Sequence, residues 1–248
     1  MIFNKIEKTL KNYNCNFIHF NSTTSTMEEA KHYLKKFNSD VVVIADEQTK
    51  GRGRRGNKWM SPPGNIYCSI VLRNTIPIKE YFLFSVLTAV SIKYTLENLG
   101  AKRVNFKWPN DIFFENKKFG GIILESYKSE KNNKYVIIGI GINFLSSPSI
   151  DNYSTTYIKR FLEIKNRLIF LDIFFNDFFF YWYNYKEQKK NIFLEFENSL
   201  LFLNEIIEIN INNTQSINGI FKGINNDGSL VLYKDDKLLS IYSGNIKI

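Results

Sequence analysis

The pattern of apolar positions in the first hundred residues predicts strands alternating with helices. Residues 41–45 form a continuous β-branched segment, as buried strands do, and residues 65–72 alternate like a strand with one buried face. Residues 25–37 carry apolar side chains at helical spacing behind a capping-box pair. A longer helix is predicted over 78–99, because Gly100 follows as a C-terminal cap. This order is typical of an α/β fold.

The next segments predict the middle of a sheet. Residues 104–108 read as a strand that ends at Pro109, and the segments 112–116 and 119–126 are spaced as a hairpin. Residues 134–144 are apolar at nearly every position, so both faces of that strand should be covered. We therefore expect 134–144 to be a central strand.

Helices are predicted for most of residues 154–198. The most apolar part, 169–185, contains Asp172 and Asp177. Two carboxylates so close together would be costly inside a bilayer. We interpret this segment as an apolar helix packed on the sheet, and we expect no membrane association.

The pattern changes after about residue 200. Short strands alternate there with turn residues such as those at 225–228. Four or five strands in so short a segment predict a small antiparallel barrel. We expect two domains, a larger one over 1–200 and the barrel over 201–248.

Composition narrows the classes of function. The 248 residues carry a formal net charge of +9, but the lysines are scattered and only the 50–58 loop concentrates cations. Nucleic-acid binding is therefore not favoured as the main function. Cys15 and Cys68 lie far apart without a CxxC pattern, and the N-terminal segment lacks the apolar region of a secretory signal. These features favour a reducing, cytoplasmic location.

The sequence GRGRRG at 51–56 has the glycine spacing of a dinucleotide-binding turn. In such a turn the third glycine opens a helix, whose N-terminus meets the pyrophosphate. Here Pro62, Pro63 and Gly64 follow too closely for a helix to form, and arginines separate the glycines. The segment therefore fails the structural condition for binding a nicotinamide dinucleotide.

The same loop has the composition of an anion-binding flap. Its cations, within nine residues, are Lys50, Arg52, Arg54, Arg55 and Lys58. Guanidinium groups bind oxygens in bidentate geometry, glycines allow movement, and the Trp59 that follows offers a surface for a flat ring. The alternative is a solvated basic loop, but glycines that cost conformational entropy on ordering would be an odd choice there.

Polar residues at the ends of predicted strands form a second group. Asn110 and Asp111 follow Pro109, and Lys118 precedes a glycine pair where the backbone can be approached closely. Asn143 ends an otherwise apolar strand, so its amide needs partners. A plain turn, a hairpin tip and a structural hydrogen bond are the respective alternatives. The residues alone leave them open.

Taken together, these segments closely resemble the biotin–protein ligase family. The matching sequences are STM (25–27), EQTKGRGRRGNKWMSPPGNIY (47–67), KWPNDIFF (107–114), KKFGGIILE (117–125) and GIGIN (139–143). The resemblance implies a mixed sheet flanked by helices, like that of class II aminoacyl-tRNA synthetases, with a C-terminal SH3-like barrel. It also implies ATP, biotin and substrate-associated Mg²⁺. Biotin would be activated as biotinyl-5′-adenylate and transferred to a lysine of the biotin carboxyl carrier domain of a carboxylase.

The resemblance also implies roles for individual residues. Lys118 would bridge the biotin carboxylate and the α-phosphate, Arg54 and Arg55 would act through the closing loop, and Lys107 and Asp111 would stand near the phosphates or the incoming amine. Biotin would contact Ser25, Thr26, Gln48, Gly51, Arg52 and Lys118. The adenylate would contact Arg54, Arg55, Trp59, Asn110, Asn143 and Lys222. No fixed metal site in the protein is implied, and Lys222 replaces an arginine found in some members.

Family members that also repress transcription carry a winged helix-turn-helix domain before the core, and too few residues precede Ser25 for one. We expect a monofunctional ligase without sequence-specific DNA binding, as a monomer or homodimer. A lipoate or octanoate ligase shares the fold and the adenylation chemistry, but its arginine–glycine–glycine–glycine motif is missing here. A basic nucleic-acid-binding module would leave Asn143 unexplained. An inactive ligase used as a scaffold is a further alternative, although no central motif residue is lost.

Overall fold

The computed structural model describes residues 3–34, 36, 39–73, 76–129, 132–150, 153–212 and 214–247. One mixed sheet contains β1 Cys15–Thr23, β2 Asp40–Gln48, β3 Ile66–Arg73, β4 Val104–Lys107, β5 Asp111–Phe114, β6 Lys117–Lys128 and β7 Lys134–Ile142. Its strand order is β1-β2-β3-β7-β6-β5-β4. The pair β1–β2 is parallel and the other neighbours are antiparallel.

The helices cover both faces of this sheet. They are α1 Asn4–Asn12, α2 Thr26–Leu34, α3 Phe82–Asn98, α4 Ile158–Phe161, α5 Arg167–Tyr183 and α6 Tyr185–Asn198. Helix α2 packs on β2, β3 and β7, where Met27 and Ala30 meet Val41 and Val43. The larger core contains the alternate residues of β2 together with side chains of α1, α3, α5 and α6. Helices on both sides explain why the central strands are apolar throughout.

The strand predictions were confirmed with one correction. Strand β7 lies between β3 and β6 and is buried, as expected for a central strand, and β5 and β6 form the predicted hairpin. The prediction of a single buried face for β3 was wrong. Tyr67, Ser69 and Val71 are buried as well, because α2 covers that second face.

The helix predictions differ from the structure mainly at their ends. Helix α3 begins at Phe82 because Ile78–Glu80 form a separate 3₁₀ turn. Gly100 has φ +106° and donates to the carbonyl of Glu97, so the predicted C-terminal cap is confirmed. Helix α2 ends at Leu34, and residues 35 and 37 of the predicted helix lie outside the described residues.

Helix α1 and strand β1 were not predicted. Helix α1 buries only Ile6 and Leu10, and β1 has intermediate exposure along most of its length. The buried residues of α1 lie four positions apart on one face, an amphipathic pattern that the prediction did not use, whereas β1 has no regular alternation of burial.

The residues after α6 form a separate antiparallel sheet. Its strands are β8 Ile206–Asn210, β9 Ser216–Ile224, β10 Leu230–Lys234, β11 Lys237–Ile241 and β12 Asn245–Ile246. They are ordered β11-β10-β9-β8-β12 around Phe221, Leu230 and Leu232, which are fully buried. The predicted α/β class, with a flanked mixed sheet and a small C-terminal β-structure, is thus confirmed.

The very apolar helix α5 is anchored by its two carboxylates. Asp172 accepts a hydrogen bond from Thr9 and pairs with Lys5, both at 2.7 Å on α1. Asp177 accepts from Thr95 of α3 at 3.2 Å. The main packing partners of α5 are therefore α1 and α3, rather than the sheet as predicted. Among the described helices, none has the length and apolar character needed to cross a membrane.

Candidate active site

A cavity of about 780 Å³ lies where the glycine loop, strands β4 to β7 and the end of the C-terminal sheet meet. The predicted site residues that line it are Ser25, Thr26, Gln48, Arg52, Arg54, Trp59, Lys107, Asn110, Asp111 and Lys118. The fold thus brings distant segments of the sequence together around one space. The other four predicted residues, Gly51, Arg55, Asn143 and Lys222, are not among the described residues that line it.

Lys118 presents the central cation of the cavity. Its Nζ atom is 2.7 Å from Oδ1 of Asp111, and its side chain is only 12% exposed. The ammonium group also lies 5.6 Å from the ring centre of Trp59 and 5.1 Å from that of Tyr153. Lys118 is therefore fixed by one carboxylate and two aromatic rings while it faces the cavity.

Lys107 is a second, more deeply buried cation beside it. In the β4–β5 pair Lys107 lies directly opposite Asp111. Burial lowers the pKa of Lys107 from 10.5 to about 8; the Asp111 carboxylate opposes this shift and the charge of Lys118 adds to it. Two lysines thus share one carboxylate, and the excess positive charge favours an anionic ligand such as a phosphate.

Trp59 forms a flat wall of the cavity. Its indole lies on a floor of two glycines, Gly121 and Gly141, which are opposite each other in the β6–β7 pair. A Cβ atom at Gly141 would be 2.6 Å from Cε2 of the indole, so only glycine fits there. The indole Nε1 is buried and has no hydrogen-bond partner among the described residues. A ligand at this wall could accept that hydrogen bond.

The glycine loop closes on itself as a small hairpin. The backbones of Arg52 and Lys58 pair, Gly53 N donates to Asn57 O at 2.7 Å, and Trp59 N donates to Gly51 O at 3.0 Å. At Gly51 a Cβ atom would collide with the carbonyl of Trp59. Gly51 therefore lets the two limbs of the hairpin approach each other, which places Trp59 in the cavity.

The three arginines of the loop have different partners. Arg52 pairs with Glu28 at 2.9 Å and Glu125 at 3.1 Å, so its charge is neutralised at the outer side of α2 and β6. Among the described residues, Arg54 reaches the amide oxygen of Asn110 alone, at 3.5 Å. Burial lowers the pKa of the Arg54 guanidinium, and the charge of Arg55 acts in the same direction. A half-buried guanidinium with one weak neutral partner favours an incoming anion.

Arg55 points away from the cavity and fastens the loop to the C-terminal sheet. Its Nη2 donates to the carbonyl of Ile211 at 3.3 Å and to the hydroxyl of Ser243. Its φ of 54° is left-handed, as the tight turn over residues 54–56 requires. The C-terminal sheet also contributes Asn210 and Lys247 to the cavity wall.

The opposite end of the cavity is polar but uncharged. Gln48 Oε1 accepts from the backbone N of Thr26 at 2.8 Å and from its hydroxyl at 3.2 Å, and Gln48 Nε2 donates to Ser61 at 3.1 Å. Ser69 donates to the Thr26 hydroxyl at 2.8 Å. Ser25 caps the start of α2 with its carbonyl and is buried. Such a set of hydroxyl and amide groups suits a neutral ligand that both donates and accepts hydrogen bonds.

Asn143 and Lys222 have other partners. Asn143 is 3% exposed, and its Nδ2 donates to the carbonyl of Thr156 at 3.1 Å. Thr156 N in turn donates to the carbonyl of Lys118 at 2.9 Å. Lys222 is exposed on β9 and contacts Asn204 at 3.2 Å. The structure therefore places Asn143 behind Lys118, and Lys222 on the surface of the C-terminal sheet.

Sequence reasoning missed Asn65 and Tyr153. Asn65 is 1% exposed, and its Oδ1 accepts three consecutive backbone N–H groups, of Phe144, Leu145 and Ser146, at 2.9 to 3.1 Å. Its position in the GNIY sequence was the only available signal. Tyr153 lies in a segment without period or motif, and only the folded chain brings it to Lys118. Within the described residues, no cluster of three or more His, Cys, Asp or Glu could hold a metal ion.

The fold and the cavity agree with the class of protein that the comparison with known sequences identifies, which is a ligase. The chain belongs to the Biotin/lipoate A/B protein ligase family, whose model matches residues 17–143. Residues 202–247 match the model of the biotin protein ligase C terminal domain. The two matches thus cover the large sheet and the C-terminal sheet separately.

Individual relatives agree with this assignment. The chain is 28% identical over 249 residues to the bifunctional ligase/repressor BirA of Bacillus subtilis, covering 92% of this chain and 73% of that protein. It is 36% identical over 131 residues to the biotin–[acetyl-CoA-carboxylase] ligase of Paracoccus denitrificans, covering 51% and 53%. The structure of the biotin protein ligase from Aquifex aeolicus in complex with biotin and ATP matches with a TM-score of 0.72 and 25% identity, covering 94% and 97%.

Proposed function

We propose that the protein activates biotin as biotinyl-5′-adenylate and transfers it to a lysine of a biotin carboxyl carrier domain. The observation that carries this proposal is that Lys118, beside Asp111 and Lys107, lines the same cavity as the uncharged polar residues Ser25, Thr26 and Gln48. A substrate with a neutral ring and a terminal carboxylate fits that polarity. The relatives named as biotin ligases support the same substrate.

In the first reaction, an oxygen of the biotin carboxylate attacks the α-phosphorus of ATP, and the bond to pyrophosphate breaks. Two anions must approach each other, so fixed cations lower the barrier. Lys118 touches both groups in this proposal, and Lys107 and Arg54 add charge on the phosphate side. Each charged hydrogen bond contributes about 1.5–3 kcal/mol. Mg²⁺ enters with ATP as part of the substrate.

The ends of the cavity orient the two substrates. Thr26, Gln48 and Ser25 hold the ureido ring, whose donors and acceptors match their hydroxyl and amide groups. The adenine lies on the open face of Trp59, since Gly121 and Gly141 occupy the other face. Asn110 and the glycine loop enclose the adenylate and keep water from the mixed anhydride.

In the second reaction, the amine of the acceptor lysine attacks the carbonyl carbon of the anhydride, and AMP leaves. The product is an amide, the C–O bond to AMP breaks, and the proton of the amine passes to solvent water. Asp111 stands beside this position, and only its Oδ1 is bonded to Lys118. We also propose that residues 1–200 form the catalytic domain and that residues 201–248 form a smaller second domain. ATP, biotin and a carrier domain are all found in the cytoplasm, where we expect the enzyme to act.

The test is biotin-dependent exchange of labelled pyrophosphate into ATP, with octanoate and lipoate in parallel. Exchange with biotin that disappears in Lys118→Ala and persists in Lys117→Ala, an exposed neighbour, is the expected result. Transfer is then followed with a purified carrier domain by mass spectrometry. Exchange with octanoate or lipoate instead of biotin would identify that acid as the substrate. This second candidate is favoured by the matched family model, which includes lipoate ligases. No exchange with any acid would refute the proposal.

A further inference from the structure

Tyr153 and Trp59 lie close to the same ammonium group from different parts of the chain. Nζ of Lys118 lies over both rings, 5.1 Å from the centre of Tyr153 and 5.6 Å from that of Trp59. Trp59 is held by the glycine loop and the glycine floor, whereas Tyr153 follows β7 in sequence and returns to β6. Both residues line the cavity.

Backbone hydrogen bonds fix Tyr153 relative to Lys118. Lys118 N donates to the carbonyl of Ser154, and Thr156 N donates to the carbonyl of Lys118, both at 2.9 Å. Asn143 then holds Thr156 from the buried side. The segment that carries Tyr153 is therefore paired with the residue whose side chain the ring contacts, so the two move together.

We propose that Tyr153 is a positioning residue of the adenylation reaction, which holds the Lys118 ammonium by a cation–π contact. This inference rests on the proposed function and extends it to a residue outside the family motifs. A lysine has a flexible stem, so its charge needs to be fixed before it can bridge two substrates. The ring of Tyr153 restricts Nζ on the side that Asp111 leaves open.

An aromatic ring suits this task better than a second carboxylate would. A second carboxylate would neutralise Lys118 and repel both the biotin carboxylate and the phosphates. A ring attracts the cation through its quadrupole and adds no net charge. The charge of Lys118 thus remains available to its anionic substrates.

The first experiment replaces Tyr153 with phenylalanine, leucine, and phenylalanines carrying one, two or three ring fluorines. Fluorine withdraws electron density from the ring face while the shape changes little, so it separates the cation–π contact from packing. Biotin-dependent pyrophosphate exchange is measured, with kcat and KM for each substrate. We expect Phe to retain activity within about twofold and Leu to lose about five- to tenfold in kcat/KM. Each added fluorine should lower log(kcat/KM) further.

The control is the same series at Tyr157, which is not among the described residues that line the cavity. At Tyr157, kcat/KM should not change with the number of fluorines. Thermal unfolding of each variant shows whether a loss of activity comes from a loss of fold. A flat series at Tyr153, or a Leu variant as active as wild type, would overturn the assignment.

A second measurement does not need enzymatic activity. The rate at which an amine-directed acylating reagent modifies Lys118 is followed by mass spectrometry in wild type, Tyr153→Leu and Tyr157→Leu. Removal of the ring should raise the rate at Lys118 several-fold in Tyr153→Leu only. Equal rates would refute the contact even if wild type exchanges pyrophosphate. A raised rate in a protein without exchange would support the contact and reject the proposed function instead.

Discussion

The indole of Trp59 lies against the backbone of Gly141 so closely that no other residue fits at that glycine. Gly121, on the neighbouring strand, is less crowded, because a Cβ there would lie 3.4 Å from the ring. At Gly141 the corresponding distance is 2.6 Å. The position of the proposed adenine wall is thus set by a glycine near the end of β7, the central strand of the sheet.

We predict that Gly141→Ala displaces the indole and reduces kcat/KM for ATP by at least about tenfold, a loss of ~1.4 kcal/mol in transition-state binding. Gly121→Ala is the matched control and should cost less than about threefold, because ordinary van der Waals contact suffices there. Steady-state exchange kinetics at varied ATP concentration provide the measurement. Equal effects of both substitutions would contradict the described floor.

The lowered pKa of Lys107 leads us to predict that KM for ATP depends on pH. Burial lowers its pKa to about 8, so the side chain is mostly charged at pH 7 and loses its proton as the pH rises through 8. If the charge binds a phosphate, KM for ATP should increase by about tenfold between pH 7 and pH 9. Lys107→Arg keeps its charge over this range and should have a flat profile. An increase of KM that persists in this variant would assign the titration to another group.

The pairs of Arg52 with Glu28 and Glu125 predict a modest effect on loop closure. The side chains are 42%, 48% and 35% exposed, so solvent screens each pair and its contribution is about 0.5–1 kcal/mol. Glu125→Gln should therefore raise KM for biotin by about two- to fivefold and increase the escape of adenylate into solution. Glu163→Gln, an exposed acid elsewhere, is the control. The effect should disappear at high salt, since screening already weakens the pairs.

Asn65 predicts a large effect on stability. Its Oδ1 accepts three backbone N–H groups, that of Phe144 in a buried position and those of Leu145 and Ser146 in partly buried ones, and Asn65→Ala would remove this acceptor. We expect a loss of roughly 3 kcal/mol in the free energy of unfolding, which lowers Tm by about 10 °C. Asn65→Asp keeps an acceptor but loses the bond from Nδ2 to Ser146 O, and should fall between wild type and alanine. Calorimetry of the three proteins tests this order.

Sequence patterns predicted the elements with a strong apolar period and the residues of recognisable motifs. The central strand 134–144, the hairpin and the cap at Gly100 depend on local preferences, so they could be read from neighbouring residues. The motif that contains Lys118 led us to expect this residue in the site, and in the structure Lys118 lines the cavity. The amphipathic pattern of α1 was present in the sequence but was not used, and only β1 lacks a regular alternation.

The remaining features depend on contacts between residues far apart in sequence. The path of the glycine loop determines that Arg52 pairs with Glu125 and that Arg55 bonds to Ser243, and no sequence pattern specifies this path. The pKa of Lys107 depends on burial beneath neighbouring strands. The family resemblance implied that Asn143 contacts the adenylate, and the residue alone left a structural partner open. In the structure its Nδ2 donates to the backbone carbonyl of Thr156, a contact that no pattern specifies.

The bond between Arg55 and Ser243 joins residues 188 positions apart in the chain. During synthesis at about 5–20 residues per second, the ribosome therefore needs roughly ten to forty seconds after the loop emerges before its distant anchor exists. The large sheet can assemble in that interval, with the loop held by the ion pairs of Arg52 and by the contact of Arg54 with Asn110 but not by Ser243. The bond between Arg55 and Ser243 therefore forms only after residue 243 has been synthesised, and until then a nascent chain would meet its substrates with the loop less firmly held.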